Sequence, residues 1–410
     1  ADLPQTKRLT LTDWSDTHSL PVERRVYSGY NQFVSRTNWT YNNRGQVLTL
    51  TRTDPATSIG RILTATYCEQ ADVVAGACPR EGLLTSVNGS RSDISDVTTY
   101  SYYASDSSGC SLSPAQCSYR KGDLWRVTNG AGHVAEMLAY DGEGRLLTAK
   151  DANGIITDFE YHPRGWLTAS KVRGPDNAVE TDDAVTRIAY WPTGLVKQVT
   201  QPDGAFTQYT YDAAHRLTDI TDNAGNTIHY VLDNAGNRIA EETKDTGGTL
   251  KRSLSRVYNQ LGQLATQADA QAHPTDFSYD ANGNRTSLRL RSGETIAYAY
   301  DVLDRQTLKD LPGGTAADVH SIYDLAGRRL SSRFVSTSGQ GILYAYDAAG
   351  RLLSETSTIG TSRALAFQYD AASNRTRITW PDSQYVTYTY DALNRMDLIQ
   401  QSGTTTLVDY

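Results

Sequence analysis

The sequence predicts an all-β protein in which tandem β-hairpins join edge to edge into one long coiled antiparallel sheet, a β-spiral. Three observations predict it. A Tyr-Asp-x-x-Gly-Arg-Leu motif recurs along most of the chain, every copy is separated from the next by a second turn signal, and the runs between turns alternate with period two.

The motif stands as Tyr140-Asp-Gly-Glu-Gly144-Arg-Leu and returns at Tyr211, Tyr279, Tyr323, Tyr346, Tyr369 and Tyr390, with weaker copies at Tyr41, Tyr161, Tyr190, Leu232, Tyr258 and Tyr300. From Tyr140 to Tyr390 the steps are 21, 29, 21, 21, 26, 21, 21, 23, 23, 23 and 21 residues. A period this short fits one supersecondary unit per repeat. Each unit carries a turn at the motif and another midway, as at Asp151-Ala-Asn-Gly154, Asp222-Asn-Ala-Gly225 and Pro312-Gly-Gly314. Asp accepts hydrogen bonds from its own turn and Gly supplies the positive φ, so both places reverse the chain. The intervening six or seven residues are rich in Thr, Tyr, Val, Ile and Leu, which makes each repeat one hairpin. The longer units carry their extra residues at the midway turn, for example Gly174-Pro175-Asp176 and Asp245-Thr-Gly-Gly248, where a hairpin tip tolerates insertion.

The strand entering each motif places Thr207, Tyr209 and Tyr211 on one face, and likewise Ile296, Tyr298 and Tyr300, or Val386, Tyr388 and Tyr390. The opposite face carries small or polar residues such as Gln208, Thr210, Ala297 and Thr387. A lone hairpin cannot cover an aromatic face, so consecutive hairpins must pair into one sheet, whose inherent twist coils it. The aromatic face, including Tyr298, Tyr344 and Tyr388, is expected to point inward or into the seam of the coil. Exposure of these rings on an outer surface would favour glycan binding instead.

Residues 1–66 form a degenerate version of the array, with Tyr27 and then Tyr41-Asn-Asn-Arg44-Gly as its copies. Residues 67–125 form repeats whose Tyr-Asp turn is replaced by a loop holding a close pair of cysteines, Cys68 with Cys78 and Cys110 with Cys117. Neither pair has C-x-x-C spacing or a neighbouring His cluster, which speaks against zinc and thioredoxin-like chemistry. Loop-closing disulfides in an oxidising compartment fit better, and four free thiols in a cytosolic protein are the alternative. Residues 126–410 are the regular array. Val408-Asp409-Tyr410 reads as a strand leading into a further turn, and Ala1-Asp2-Leu3-Pro4 lacks the pattern of a signal peptide. A mature form or an internal piece of a longer protein is the expectation.

Composition bounds the function. The chain of 410 residues is 39% hydrophobic and 21% charged, with 26 Tyr against 6 Phe and 6 Trp. Its mean hydropathy is -0.50. Tyr packs its ring while its hydroxyl finds a partner, so this skew suits half-buried sheet surfaces. A net charge of -7 and the absence of dense basic runs exclude a nucleic-acid footprint, and no apolar stretch is long enough to insert in a membrane as a helix.

No residue earns a catalytic, cofactor-binding or metal role. Gly130-Ala-Gly132-His-Val-Ala135 matches a dinucleotide fingerprint on paper, but Tyr140-Asp141 follows too soon for the required helix, so it is a midway turn. An EF-hand reading of Ser278, Asp280 and Asn282 fails because Arg289 stands where a bidentate Glu is needed. The seven histidines are scattered, and His162 and His215 sit in motif turns. The assigned residues are structural. They are Tyr140, Asp141, Gly144 and Arg145; Tyr211 and Asp212; Tyr279, Asp280 and Gly283; Tyr323, Asp324 and Gly327; Tyr346, Asp347, Gly350 and Arg351; Tyr369 and Asp370; Tyr390 and Asp391. The motif arginines 145, 216, 305, 328, 351 and 395 are expected to bridge adjacent hairpins by hydrogen bonds or to stack on Tyr rings.

From residue 26 to 410 the repeated Tyr-Asp-x-x-Gly-Arg-Leu is similar to the YD-repeat, or Rhs-repeat, proteins, which include bacterial polymorphic toxins, the C component of insect-active toxin complexes, and the teneurins. The resemblance implies a spiralling sheet that closes into a hollow shell, which in the toxin members encloses a C-terminal toxic domain. The self-cleaving Asp-Pro-x-Gly-Leu segment of such toxins has no counterpart, since the only Asp-Pro, Asp54-Pro55, is followed by Ala-Thr near the other end. The reading that follows is a non-enzymatic scaffold of a secreted or surface bacterial protein. Its partners would be its own cargo domain or neighbouring repeats. An extracellular adhesin or fibre binding glycan, a receptor or another partner protein is the alternative, and a β-propeller hydrolase ranks last because ten blades would exceed the usual number.

Overall fold

A computed structural model of the chain describes residues 8–28, 32–53, 60–91, 94–113, 116–176, 179–314, 318–324 and 326–410. Asp54-Pro55 and the first four residues lie outside them. The chain is nearly all-β: among the described residues 33 strands belong to one hydrogen-bonded sheet. Pairing is antiparallel between strands consecutive in sequence, as in Ala184–Tyr190, Val196–Thr200, Phe206–Tyr211 and Leu217–Asp222.

The register repeats with the motif. Tyr211 pairs with Leu217 and Thr210 with Asp219, so Thr218 is an extra residue, a β-bulge directly after the turn. The same step of six residues and the same bulge pair Tyr41 with Val47, Tyr190 with Val196, Tyr346 with Leu352, Tyr369 with Arg375 and Tyr390 with Met396. A bulge at a fixed place adds a fixed increment of right-handed twist per repeat. The cysteine loops keep this frame. Tyr67 pairs with Leu84 and Tyr102 with Leu124, so each loop replaces the Tyr-Asp turn of its hairpin without disturbing the strands. The first loop also folds a short helix, Gln70–Val74, that periodicity did not announce.

Every hairpin therefore has two edges, one bearing the Tyr-Asp turn and the other the midway turn. Tyr27 falls at the midway edge, because the chain reverses at residues 15–20 before it. Its bulge and its ring contact with Phe33 at 5.4 Å imitate the motif locally. Trp14, paired with Pro21, occupies the motif position of that hairpin instead.

Burial follows the alternation. Ile296 and Tyr298 are buried while Ala299 is exposed, and Phe367 and Val386 are buried beside exposed Gln368 and half-buried Thr387. Tyr344 and Tyr388 are half-buried. The core is thin, most of it on one face of the sheet, and among the described large side chains only Cys68 is wholly enclosed.

The contacts divide the chain into two units. One comprises Ala1–Gly154, Tyr300–Leu308 and Asp318–Tyr410, and the other Ile155–Ala299 and Lys309–Ala317. Both are built of the same hairpins.

Candidate functional site

The chemistry-bearing residues of the motif gather along the turn edge of the hairpins. In the first regular turn Asp141 accepts from the backbone N–H of Glu143 at 3.0 Å and of Arg145 at 2.9 Å through Oδ1, while Oδ2 takes Nε of Arg145 at 2.5 Å. The fifth position needs a left-handed backbone, which Gly144, Gly283, Gly327 and Gly350 supply at φ between 80° and 91°. His215, Ser373 and Asn394 adopt the same conformation at greater steric cost. The Asp–Arg pair recurs at Asp212–Arg216, Asp301–Arg305, Asp324–Arg328, Asp347–Arg351 and Asp391–Arg395.

The motif tyrosine reaches backwards. Its hydroxyl donates to the carbonyl that opens the outgoing strand of the preceding hairpin: Tyr140 to Leu124 at 2.7 Å, Tyr323 to Gln306 at 2.8 Å, Tyr346 to Arg329 and Tyr369 to Leu352 at 2.9 Å in one unit. In the other, Tyr190 donates to Leu167 at 2.7 Å and Tyr279 to Leu264 at 2.9 Å. Burial, with Asp123 and Tyr103 nearby, pushes the Tyr140 hydroxyl up to about 12, and burial raises Tyr211, Tyr346, Tyr369 and Tyr390 above the usual phenol value.

The motif arginine reaches forwards. Arg216 donates through Nη1 to the Asp233 carbonyl at 2.7 Å, Arg328 to that of Asp347 at 3.1 Å and Arg351 to that of Asp370 at 3.3 Å. Arg305 does the same to Asp324. The guanidiniums of Arg305, Arg328 and Arg351 also lie over the rings of Tyr323, Tyr346 and Tyr369 at 5.0, 4.9 and 4.8 Å. Hydrogen bonding to the next turn and stacking on the next Tyr thus occur together. The backbone N–H and side chain of Arg216 hold Asp212 below the usual aspartate range, and the side chain and backbone of Asn237 do so for Asp233. At Asp141 burial opposes the shift and the bonds from Arg145 outweigh it.

Some partners were not legible from the motif. Asn replaces Arg at Asn237, Asn284 and Asn374, where its amide donates to the same Asp Oδ2 at 2.9 to 3.0 Å. The recurrence of Asn four residues after Asp was the available signal. At Tyr161-His162 the Asp–Arg pair becomes aromatic: Trp166 stacks on His162 at 5.0 Å and meets the ring of Tyr190 at 5.3 Å, while Arg164 donates to the Pro192 carbonyl of the next turn at 2.8 Å.

Cys68 is bonded to Cys78 and Cys110 to Cys117, with Cα separations of 5.9 and 4.0 Å. Asn129 to His133 closes as a hairpin turn with Gly132 at φ +84°, and a strand rather than a helix follows it at Val134. Among the described residues no three His, Cys, Asp or Glu side chains converge as metal ligands, and no helix is long and apolar enough to cross a membrane.

No curated protein matches the chain. A structure of TcdB2–TccC3 is 14% identical, covers 98% of this chain and 24% of that one, and superposes with a TM-score of 0.50, which shows a common fold. A structure of the Tc holotoxin pore of Photorhabdus luminescens is 15% identical over 98% of this chain and 24% of that one, with a TM-score of 0.49. The chain spans about a quarter of the length of these relatives. The family model for the RHS repeat matches residues 140–178, 190–227, 258–295, 279–316 and 346–382, segments that include the Tyr-Asp turns at Tyr140, Tyr211, Tyr279, Tyr346 and Tyr369. The chain belongs to the Rhs-repeat, or YD-repeat, family.

Proposed function

We propose that this chain is a wall segment of a YD-repeat shell: a non-enzymatic scaffold in a secreted or surface-exposed bacterial protein that encloses or displays a domain lying C-terminal to the array. The observation that carries the reading is where the motif's polar atoms go. The tyrosine hydroxyl bonds the hairpin before, the arginine bonds the hairpin after, and the aspartate bonds its own turn. Groups so engaged with one another hold a sheet together and leave no reactive set aimed at a substrate. The fold shared with TcdB2–TccC3 supports the same reading. The two bonded cysteine pairs fit an extracellular or cell-surface setting.

Against a glycan-binding adhesin stands the burial of Tyr298, only 9% exposed, with Tyr344 and Tyr388 half-buried. The test uses the native polypeptide from its source, read to both ends by top-down mass spectrometry and then treated with protease. A non-repeat C-terminal domain that resists cleavage until the array is unfolded supports enclosure. A polypeptide that carries only repeats, or a domain cut as fast as when isolated, contradicts it.

A further inference from the structure

Within the larger unit the two ends of the chain meet edge to edge, through side chains outside the motif. Arg61 opens the strand Gly60–Tyr67 at its midway edge, and its guanidinium lies over the turn of Gly350, where an added Cβ would come within 3.1 Å of Nη1. Burial weighs most against that guanidinium's charge and Arg328 and Arg52 oppose it, while Asp324 and Asp347 draw it. Arg91, on the midway side of the strand Leu84–Asn88, donates to the carbonyl of Asp370 across 279 residues. Asn153, in the midway turn after Leu146–Lys150, donates to Oδ2 of Asp391 at 2.8 Å and accepts from the N–H of Ala392 at 3.1 Å, 238 and 239 residues away. Arg8 stands 3.9 Å from Asp304.

The four contacts share one polarity and one order. Each joins a midway edge early in the chain to a Tyr-Asp turn late in it, and both sides advance together, from Arg8 to Asn153 and from Asp304 to Asp391. The Asp370 carbonyl, which accepts from Arg351 of the preceding turn, also accepts from a rim far away in sequence.

We propose that Arg61, Arg91 and Asn153 form a latch that locks the early hairpins of this unit onto the turn rim of its last three motif hairpins. Gly350 is then needed for two reasons. Its φ of +91° favours glycine, as does the +86° of Gly327. Only at Gly350 does the latch also crowd a Cβ, with Nη1 of Arg61 at 3.1 Å, whereas nothing stands within 4 Å of a Cβ at Gly327.

The test compares Gly350→Ala with Gly327→Ala in the full chain, each with and without Arg61→Ala, by hydrogen exchange of the hairpins they belong to. The expected result is that Gly350→Ala lowers protection of its own hairpin at least threefold more than Gly327→Ala lowers that of its hairpin, and that Arg61→Ala abolishes the excess. Equal effects, or an excess that survives Arg61→Ala, would overturn the latch. Asn153→Asp provides a milder second arm, since it places a carboxylate against Asp391. It should speed exchange at residues 385–401 and leave the turn at Asp212 unchanged, and no change at 385–401 would count against the proposal.

Discussion

Tyr279 shows what one motif residue contributes. Its hydroxyl donates to the Leu264 carbonyl at 2.9 Å, in a site where burial weakens competition from water. Tyr279→Phe keeps the ring and removes the bond, so a loss of about 1–2 kcal/mol is expected in urea denaturation. Titration gives a second check at this scale. Asp212 and Asp233 have depressed values in the folded chain, so their stabilisation is complete above the ordinary aspartate range near pH 4 and is lost as pH falls through the lowered values. Tyr140 is shifted the other way, up to about 12, so its contribution is complete below about pH 10 and is lost as pH rises toward that value. The denaturation midpoint should therefore be flat at neutral pH and fall on both sides, below about pH 4 and above about pH 10.

At the scale of the hairpin, the turn type decides which residues are strained. Ser373 holds φ +69° at the position that Gly144, Gly327 and Gly350 fill elsewhere. Ser373→Gly should raise stability by about 0.5–1 kcal/mol, measured by the shift in urea midpoint. The cysteine loops are hairpins of the same register, closed covalently over 10 and 7 residues. Opening the Cys68–Cys78 loop with a Cys68→Ser, Cys78→Ser double variant should cost about 2–3 kcal/mol. No thiol of the intact protein should react with a small reagent before reduction, and two or more reactive thiols would contradict the pairing. Hairpins were legible in the sequence because their signals are local: Asp and Gly mark the turn, and Thr207, Tyr209 and Tyr211 mark the face. Register between hairpins was not, so the acceptor of Tyr279 and the carbonyl reached by Arg216 emerge only from the structure. Tyr27 misled for the same reason, since which edge a turn occupies depends on counting reversals that weak repeats obscure.

For the whole molecule, stability should resemble that of a repeat array, in which each hairpin is held mainly by its neighbours. The tyrosine bonding backwards and the arginine bonding forwards are the physical form of that coupling. The latch at Arg61, Arg91 and Asn153 adds contacts between residues 238 to 289 apart, and no periodic signal encodes these, because the early partners lie outside the motif. The scaffold role rests on the ladder, and hydrogen exchange tests the ladder most directly. In a chain carrying Arg216→Ala and Tyr279→Phe, the account predicts faster exchange confined to residues 206–244 and 258–289, with the strands at 98–140 keeping their protection. Unchanged exchange around both sites would contradict it, because the ladder would then be idle and the motif would need another explanation.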